Sequence, residues 1–415
     1  MKYSELFAKP SKTAPHDADS ANAKFLAQAG FIHQEMAGVY SWLPLGLKVL
    51  KKVEAIIREE LNEIGAQEIL MPALQPKDNW ENTGRWDAMD VLFKLQSQTD
   101  RQYALGSTHE EIVTPLVGSF INSYKDLPVA VYQIQSKYRD ELRAKSGILR
   151  GREFGMKDLY SFHATQEDLE QYYEKVKQTY LRIFKRCGLD AKVVESSGGD
   201  FTKKYSHEFQ VITPAGEDDI LACPNCTFAQ NIEIATMKAG EACPSCGNSL
   251  ESVKGIEIGN IFDLNDKFTT AFGIKYTDEY GEQKIPIMGC YGIGTTRLVG
   301  AIVEAHHDDK GMIWPDEVAP ANVHLVTLNS KDEAVNEKVL ATAQGLRDTW
   351  EKAGKEVFWD DRTNASAGEK LGDADLMGLS FRVVVSPKTL EQNGVEVKRR
   401  DEDEAKIVGL DEIVM

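Results

Sequence analysis

The sequence lacks the features that would take a chain into or across a membrane. No stretch approaches the ~18 consecutive apolar residues that a spanning helix needs. The N-terminal stretch MKYSELFAKPSKTAPHDADS has no apolar core of the kind found in secretory signals. It also lacks the arginine-rich, acid-poor character of a mitochondrial leader. We therefore expect a cytoplasmic protein with no membrane association.

An excess of positive charge is also missing. The chain has 48 basic and 65 acidic residues, and its net charge is −17. Such a balance argues weakly against nucleic-acid binding, because proteins that bind nucleic acids usually carry a basic surface. The stretch between Lys137 and Lys157 departs from it, with seven basic residues against three acidic ones. This stretch is either a solvated charged face or a local site for an anion.

Two common nucleotide-binding motifs are absent. No Gly-x4-Gly-Lys-Ser/Thr loop occurs, which excludes a P-loop site. The segment Gly292-x-Gly294-x-x-Arg297 fails the dinucleotide fingerprint, because arginine stands where the third glycine belongs. The pattern instead predicts glycines that open a helix, with Arg297 in its first turn and directed at an anion.

Cysteine is scarce, and most of it is concentrated in one place. Of six cysteines, four form two Cys-x2-Cys pairs with 16 residues between them, and these are Cys223, Cys226, Cys243 and Cys246. In a chain without a secretory signal, this spacing predicts a structural zinc site rather than disulfides. We expect a small zinc-ribbon-like insertion over about 218–252, with unmetallated thiols as the alternative. We interpret Cys187 and Cys290 as small buried apolar residues.

Hydrophobic periodicity predicts two long helices in the first two thirds of the chain. One covers 46–64 and is ended by Gly65, and a strand over 68–71 that stops at Pro72 follows it. The second begins after Thr165, with Asp168 completing a capping box, and reaches Gly188.

A proline-rich stretch over 315–320 indicates a linker, so we place a domain boundary near residue 318. Beyond it, strands and helices alternate, which predicts an α/β domain with a largely parallel sheet. The expected strands are 324–328, 356–359 and 381–385, and the expected helices are 333–353 and 369–377. The predicted domains are therefore 1–318 and 319–415.

The segment 132–163 is the most informative stretch of the chain. We expect a hairpin in which the first strand ends at Tyr138 and the second carries Arg150, Arg152 and Phe154. An arginine can fork onto a phosphate, a carboxylate can accept from an adenine amino group, and a phenylalanine can stack on the base. A charged surface hairpin is the alternative that these residues alone leave open.

Several segments together resemble the class II aminoacyl-tRNA synthetases, and among them the prolyl-tRNA synthetase family. The segments are YSWLPLG, TGRWD, GSTHEE, the hairpin through MKDLYSFH, SHEFQV and MGCYGIG, with DDR and GEKLGDADL in the last hundred residues. The resemblance implies an α+β catalytic domain built on an antiparallel sheet and an α/β anticodon-binding domain. It also implies ATP-dependent activation of L-proline and its transfer to the 3′ end of tRNA(Pro).

The resemblance implies roles for the hairpin and for the glycine-rich segment. Arg139 would hold the α-phosphate of ATP and the proline carboxylate, Glu141 would bind the adenine amino group, and Phe154 would stack on the adenine. Arg150 or Arg152 would lie near the phosphates, and Arg297 would contact the γ-phosphate. Arg139 and Arg297 are then the catalytic residues, and Mg²⁺ would accompany the ATP. No general acid or base is needed, because the reaction requires positioning and charge neutralisation.

For the amino acid, the resemblance implies that the loop carrying Thr108 and Glu110 holds the proline imino group. A secondary ammonium offers two N–H donors and needs a nearby carboxylate. Glu257 and Asn260 would line the same pocket. The family commonly has histidine at the position of Asn260, which leaves that contact open.

The resemblance further implies a homodimer formed through the helix and strand that end at Pro72. For recognition of the tRNA anticodon, the candidates lie at the ends of strands in the last domain. They are Asp361, Arg362, Glu369 and Lys370. Each could instead be an ordinary surface charge.

Two alternative functions remain, together with one expected absence. A threonine-specific relative would hold a catalytic zinc in its active site, whereas these four cysteines lie outside the catalytic motifs. A non-catalytic paralogue would typically lose the motif arginines, and both Arg139 and Arg297 are present. Between His163 and Gly289 too little chain remains for the large editing domain of many bacterial relatives, so we expect no proofreading by this protein.

Overall fold

The computed structural model describes residues 1–16, 18–199, 201–202 and 204–413. Helices α1 to α10 are Ala21–Gln28, Pro44–Glu63, Lys77–Asn82, Glu110–Gly118, Gln166–Arg186, Lys267–Ala271, Thr295–Ala305, Glu333–Lys352, Ala367–Met377 and Pro387–Leu390. Short 3₁₀ helices cover Tyr3–Glu5 and Tyr124–Asp126. Within those described ranges, no helix is both long and apolar enough to cross a bilayer.

The strands are numbered in the same way. Strands β1 to β12 are Ile32–Met36, Val39–Trp42, Gln67–Glu68, Leu74–Pro76, Lys94–Gln96, Gln102–Leu105, Val129–Tyr138, Glu153–His163, Ala191–Ser197, Tyr205–Ile212, Asp218–Ala222 and Ala229–Asn231. Strands β13 to β23 are Glu251–Asn265, Tyr276–Thr277, Gln283–Lys284, Ile287–Gly294, His307–Asp308, Gly311–Met312, Val323–Thr327, Val357–Asp360, Phe381–Val385, Gly394–Arg399 and Lys406–Gly409.

The chain forms two compact units, each assembled from separate stretches of sequence. The smaller unit comprises Met1–Glu35, Tyr40–Lys52 and Ile302–Met415, and the larger comprises Met36–Val39 and Val53–Ala301. The boundary near residue 318 is a division of the linear sequence and stays a prediction.

The larger unit is built on a nine-stranded sheet in the order β10-β9-β12-β11-β13-β16-β8-β7-β3. Its pairs are antiparallel except β3–β7 and β12–β9, which are parallel. Helix α5 packs on this sheet through Tyr180 and Phe184, whose ring centroids lie 5.1 and 5.4 Å from that of Phe209. Gly259 on β13 favours the close approach, because a Cβ there would make a tight contact of 3.1 Å with the Phe184 ring.

Helix α2 confirms the first predicted helix, and Gly65 follows it in the left-handed conformation, with φ of 82°. The strand expected over 68–71 is wrong in extent, because β3 ends at Glu68. The amide of Ile69 still bonds to the carbonyl of Tyr132, but the amide of Met71 bonds to the side chain of Gln133. Backbone pairing therefore continues for one residue beyond Glu68, and at Met71 a side chain takes the place of the backbone acceptor.

The second predicted helix is α5, and only half of its expected capping box forms. The Thr165 hydroxyl accepts from the amide of Asp168 at 3.2 Å. The Asp168 carboxylate does not reach back to the cap, because it is 2.7 Å from Nδ1 of His163. In the hairpin, β7 ends at Tyr138 as predicted, but β8 begins only at Glu153. Arg150 and Arg152 therefore lie in the connecting loop.

The smaller unit contains a five-stranded sheet in the order β20-β19-β21-β22-β23. The first three strands are parallel and the last two join antiparallel, which confirms the largely parallel α/β arrangement for the predicted strands. The sequence analysis missed β22, β23 and α10. These elements are only four to six residues long, which is too short for a clear apolar periodicity.

His324 lies in β19, an interior strand of this sheet, and has no polar partner among the described residues. Its side chain is 1% exposed, its ring centroid lies 5.0 Å from that of Phe358, and neither ring nitrogen hydrogen-bonds to another described residue. Burial lowers the pKa of His324 to about 4. The unfolded chain therefore binds a proton at this residue at a higher pH than the folded chain does.

We predict that His324 makes the smaller unit sensitive to acid. The pKa of His324 is lower in the folded chain than in the unfolded chain. The free energy of unfolding is therefore at its full value above about pH 6.5 and decreases as the pH falls toward 4. Relative to pH 7.5, the loss at pH 5 is about 2 kcal/mol. His324→Phe should reduce the fall in unfolding free energy between these pH values. Equal pH dependence of the unfolding midpoint in His324→Phe and the parent protein would contradict this prediction.

Candidate active site

The hairpin of β7 and β8 places Arg139 directly after a strand of the large sheet. The amide of Arg139 donates to the carbonyl of Arg152 at 2.9 Å, which closes the loop between the strands. Its guanidinium carbon lies 5.3 Å from the centroid of the Phe154 ring. Nε of Arg139 is buried and has no hydrogen-bond partner among the described residues. Burial, followed by the charge of Arg297, lowers the pKa of Arg139.

Arg297 lies in the first turn of α7, as predicted, immediately after the glycine-rich end of β16. Its Nε donates to the carbonyl of Leu149 at 2.9 Å. Its Nη1 donates to the carbonyl of Glu257 at 3.1 Å and to Oε2 of the same residue at 3.2 Å. Three acceptors from two neighbouring segments therefore fix this guanidinium in place.

Three further charged residues of the hairpin loop, Glu141, Arg150 and Arg152, bind to other protein groups. Nε of Arg150 donates to Oε2 of Glu141 at 3.1 Å, and its Nη1 lies 3.3 Å from Glu217. Arg152 donates to the carbonyl oxygens of Glu141 and Ala37. The Glu141 carboxylate thus already has a cation as its partner.

Two adjoining cavities meet at Arg139, Glu257 and Arg297. One has a volume of about 240 Å³ and is charged, and its other lining residues are Glu141, Leu149, Arg150, Glu217, Asp218, Gly255 and Ile256. The other has a volume of about 200 Å³ and is more apolar. It is also lined by Thr108, Glu110, Phe154, Met156, Asp158, Phe201, Ile258, Gly259, Asn260, Phe262, Cys290, Gly292 and Gly294. The fold therefore brings all of the predicted proline and ATP residues except Arg152 to these two cavities.

Glu110 supplies a negative charge at the smaller cavity, at the start of α4. Its Oε2 accepts from the Thr108 hydroxyl at 2.5 Å. The Cys290 thiol donates to its Oε1 at 3.2 Å. Cys290 is buried as expected, but it lines the cavity and orients Glu110, so the interpretation as a merely apolar residue was incomplete.

Glu257 and Asn260 lie on the same strand, β13. Nδ2 of Asn260 donates to Oε1 of Glu257 at 3.2 Å, and Oδ1 of Asn260 is buried without a partner among the described residues. Such an atom is available to a donor on a bound ligand. The rings of Phe201 and Phe262, with centroids 4.8 Å apart, add an apolar wall that the sequence analysis did not identify.

His109 orients the loop that carries Thr108 and Glu110. Its amide donates to the Tyr160 hydroxyl at 3.0 Å, and its Nε2 lies 3.1 Å from the carbonyl oxygen of Pro72. Burial and the charge of Lys137 lower the pKa of His109 to about 4. The imidazole is therefore neutral at pH 7. Near this imidazole, Nζ of Lys137 lies 2.7 Å from Oδ1 of Asp158, and both side chains are buried.

The four predicted metal ligands lie together. The Sγ atoms of Cys223 and Cys246 are 3.4 Å apart, those of Cys226 and Cys243 are 3.6 Å apart, and all four lie within 4.8 Å of one another. Tetrahedral zinc with Zn–S bonds of about 2.3 Å separates its sulfurs by about 3.8 Å. The cluster is therefore of a size that fits zinc.

The four anticodon candidates lie around the end of β20, and most are already engaged within the smaller unit. Arg362 is 2.6 Å from Asp360 and 2.8 Å from Asp373. Its guanidinium carbon also lies 3.8 Å from the Tyr3 ring centroid. Asp361 accepts from the hydroxyl of Ser4 at 2.6 Å. Nζ of the buried Lys370 donates to the carbonyl of Thr327 at 2.6 Å, whereas Glu369 is exposed.

Comparison with protein families gives two matches that together cover most of the chain. The family described as tRNA synthetase class II core domain (G, H, P, S and T) matches residues 93–306. The family described as anticodon binding domain matches residues 322–415. The first match contains all of the predicted proline, ATP and cysteine residues, and the second contains the four anticodon candidates.

Comparison with individual proteins gives full-length relatives. The chain is 32% identical to a proline–tRNA ligase of Syntrophus aciditrophicus, over 100% of this chain and 97% of the relative. It is 34% identical to that of Moorella thermoacetica, over 97% and 96%. The first alignment extends over 564 positions, whereas this chain has 415 residues. A substantial part of the relative is therefore aligned with gaps in the sequence of this chain.

A solved structure shows the same fold. The Giardia lamblia prolyl-tRNA synthetase in complex with prolyl-adenylate superposes with a TM-score of 0.79 at 21% identity, covering 97% of this chain and 77% of that chain. The fold class expected from the sequence, a class II synthetase core followed by an anticodon-binding domain, is thereby confirmed. With relatives above 30% identity over nearly their whole length, this chain belongs to the family of proline–tRNA ligases.

Proposed function

We propose that this protein activates L-proline with ATP to form prolyl-adenylate and transfers the prolyl group to the 3′ end of tRNA(Pro). The observation that carries the proposal is the polarity of the smaller cavity. The Glu110 carboxylate lies in its wall together with the guanidinium groups of Arg139 and Arg297. A zwitterion with an ammonium and a carboxylate matches this arrangement of charge.

In this proposal the apolar walls receive the proline ring, and Glu110 with Thr108 receives its ammonium group. Glu257 and Asn260 complete the pocket, and the buried Oδ1 of Asn260 is an acceptor with no partner among the described residues. The charged cavity receives ATP, and Glu141 would bind the adenine amino group. Phe154 lines the smaller cavity beside Arg139, which lines both cavities, and from there it would stack on the adenine.

The phosphates would lie against Arg139, Arg150 and Arg297, with Arg152 holding the loop. A carboxylate oxygen of proline attacks the α-phosphorus, a new P–O bond forms, and the bond to pyrophosphate breaks. Arg139 lies in both cavities, so it can hold the nucleophile and the α-phosphate together. Mg²⁺ bound with ATP would neutralise phosphate charge, and Glu257 and Asp218 offer the oxygen ligands it prefers.

We predict that Arg139→Ala and Arg297→Ala each reduce proline-dependent ATP–pyrophosphate exchange by on the order of 10²-fold, because each removes a charge that stabilises the transition state. Arg101→Ala is the matched control, since Arg101 is exposed and lines neither cavity. Near-normal exchange in the Arg139 variant would refute the role of the hairpin. Screening all twenty amino acids in the same assay separates proline from threonine and excludes a non-catalytic paralogue.

For recognition of the anticodon we propose the end of β20, with Glu369 as a direct contact and Asp361, Arg362 and Lys370 as residues that also hold the loop. The internal bonds of Arg362 and Lys370 support the second role. Surface charge is the alternative for Glu369. Loss of a direct tRNA contact would lower tRNA charging without affecting pyrophosphate exchange.

We propose that the four cysteines hold a structural zinc ion. Four thiolates close a tetrahedral coordination sphere and leave no position for a substrate. None of the six cysteines is in a disulfide, which fits a protein of the reducing cytoplasm.

Metal analysis of protein purified without chelator should therefore find about one zinc per chain. Cys243→Ser should lose that zinc, because it removes a ligand of the closed site. Cys187→Ala should retain it, since Cys187 lies outside the cluster. Fresh protein without zinc, in which all four thiols titrate freely, would rule out the site.

We also propose that the protein is a homodimer through α2 and the segment that ends at Pro72. Leu70 is 76% exposed and Leu47, on α2, is 38% exposed, and a second copy would cover such apolar side chains. Light scattering at micromolar concentration measures the mass directly. A fully active monomer would contradict the proposal.

Finally, we propose that the protein is of the bacterial type without the large editing insertion and does not proofread. Alanine fits any pocket that admits proline, and each missing methylene costs it only ~1–3 kcal/mol of binding. The described chain between β8 and β16 is occupied by α5, α6, β9 to β15 and the cysteine cluster.

Incubation with pre-formed alanyl-tRNA(Pro) should accordingly give deacylation no faster than in a control without enzyme. The reason is the absence of a second, hydrolytic pocket in the proposed architecture. Release clearly above the spontaneous rate would show that an editing site is present.

A further inference from the structure

Arg85 is a buried cation that does not line the smaller cavity but contacts two residues that do, Glu110 and Phe201. It follows α3, its side chain is 8% exposed, and the side chains of Glu110 and Glu111 are fully buried. Nη1 of Arg85 lies 2.9 Å from Oε1 of Glu111 and 3.5 Å from Oε2 of Glu110. One guanidinium nitrogen therefore faces the carboxylates of two consecutive residues.

Aromatic rings surround this guanidinium. Its carbon lies 4.9 Å from the ring centroid of Phe201, 5.3 Å from that of Trp80 and 5.5 Å from that of Phe268. Ring faces attract a cation and exclude water from it. Because little water reaches the group, the charges around Arg85 must balance within the protein.

Among the described residues, Arg85 is the one cation in ion-pair contact with either of these two carboxylates. Arg139 and Lys137 act on Glu110 through longer-range electrostatic attraction. The other partners of Glu110 are the neutral hydroxyl of Thr108 and thiol of Cys290. Glu111 accepts from the Thr83 hydroxyl at 2.9 Å, and its Oε2 is buried without a partner in the described residues. Burial, only partly opposed by the charge of Arg85, raises the pKa of Glu111 to about 7.

We propose that Arg85 is a positioning residue for the amino-acid substrate, because its guanidinium neutralises Glu111 and so leaves the negative charge of Glu110 for the substrate's ammonium group. Two carboxylates and one guanidinium then leave one negative charge, and the ammonium of the bound amino acid pairs with it. Without Arg85, two adjacent buried carboxylates repel each other, and a proton taken up by the pair weakens the attraction for the ammonium. This inference rests on the proposed proline site at Glu110.

The test measures KM for proline and for ATP separately by pyrophosphate exchange. R85Q should raise the proline KM by on the order of 10²-fold, because it leaves a buried charge uncompensated. The ATP KM should change by less than about threefold, because Arg85 lines neither cavity. R85K, which retains a charge but not the planar fork, should fall between R85Q and the parent protein. T83V, which removes a neutral donor to Glu111, should change the proline KM by less than about threefold.

The decisive variant is the double substitution R85Q/E111Q. If Arg85 acts by neutralising Glu111, removal of the Glu111 charge should recover about tenfold of the lost proline affinity. A purely structural Arg85 predicts a double variant as poor as R85Q or poorer, and that result would overturn the proposal. So would equal increases in the KM values of proline and ATP. If R85Q does not fold, R85K and R85K/E111Q provide the same comparison.

A further variant separates this inference from the proposed function. E110Q should raise the proline KM at least as much as R85Q, because it removes the charge that receives the ammonium. If E110Q has no effect, the proposed proline site itself fails. If E110Q raises the proline KM and R85Q does not, the site stands and the role of Arg85 is refuted.

Discussion

The architecture of the active site depends on holding two arginines close together with little water. Burial and then the charge of Arg297 lower the pKa of Arg139, which means that the pair is costly in the absence of an anion. The protein holds Arg297 with two backbone carbonyls and Glu257 but leaves the buried Nε of Arg139 without a partner among the described residues. Such an arrangement stores electrostatic free energy that a carboxylate or phosphate releases on binding.

The nine-stranded sheet provides the rigidity that this arrangement needs. Strands β7 and β8 pair through ten residues and bring Lys137 opposite Phe154, directly before the loop of Arg139. On the other side, β16 pairs with both β8 and β13 and places Asn260 opposite Gly292. Gly259, Gly292 and Gly294 all line the smaller cavity, so backbone rather than side chains forms part of its floor. Paired strands therefore hold Phe154 and Asn260 directly, and they fix the points from which the loop of Arg139 and the helix of Arg297 begin.

The elements that could be predicted are those with long, regular apolar patterns. Helices α2 and α5 and strands β19 to β21 follow from periodicity and from helix-ending signals such as Gly65 and Gly188. The short charged strands β22 and β23 give no such pattern. The strand expected over 68–71 failed because a tertiary contact, from the amide of Met71 to Gln133, replaced the ladder. Such a contact joins residues 62 positions apart, and no local pattern contains it.

At the site, residue types and order predicted which side chains meet, but not how their charges pair. Arg139, Arg297, Glu110 and Asn260 were identified from motifs and lie around the same cavity. By contrast, Phe201 carries no sequence signal, and the TGRWD segment that contains Arg85 gave no role for that residue. The contacts of both residues depend on the folded positions of distant segments. The same reason explains why Arg362 and Lys370, as charged residues near the predicted end of a strand, could not be recognised as internally bonded.

Glu110 has two titratable neighbours in sequence, His109 and Glu111, and burial shifts their pKa values in opposite directions. Burial and Lys137 lower the pKa of His109 to about 4, so its ring stays neutral and keeps its contact with the Pro72 carbonyl throughout the neutral range. Burial raises the pKa of Glu111 to about 7 despite the contact with Arg85. Glu111 is therefore the neighbour whose charge can vary near pH 7. Because it directly follows Glu110, its neutralisation by Arg85 decides how much negative charge the cavity presents to an ammonium group.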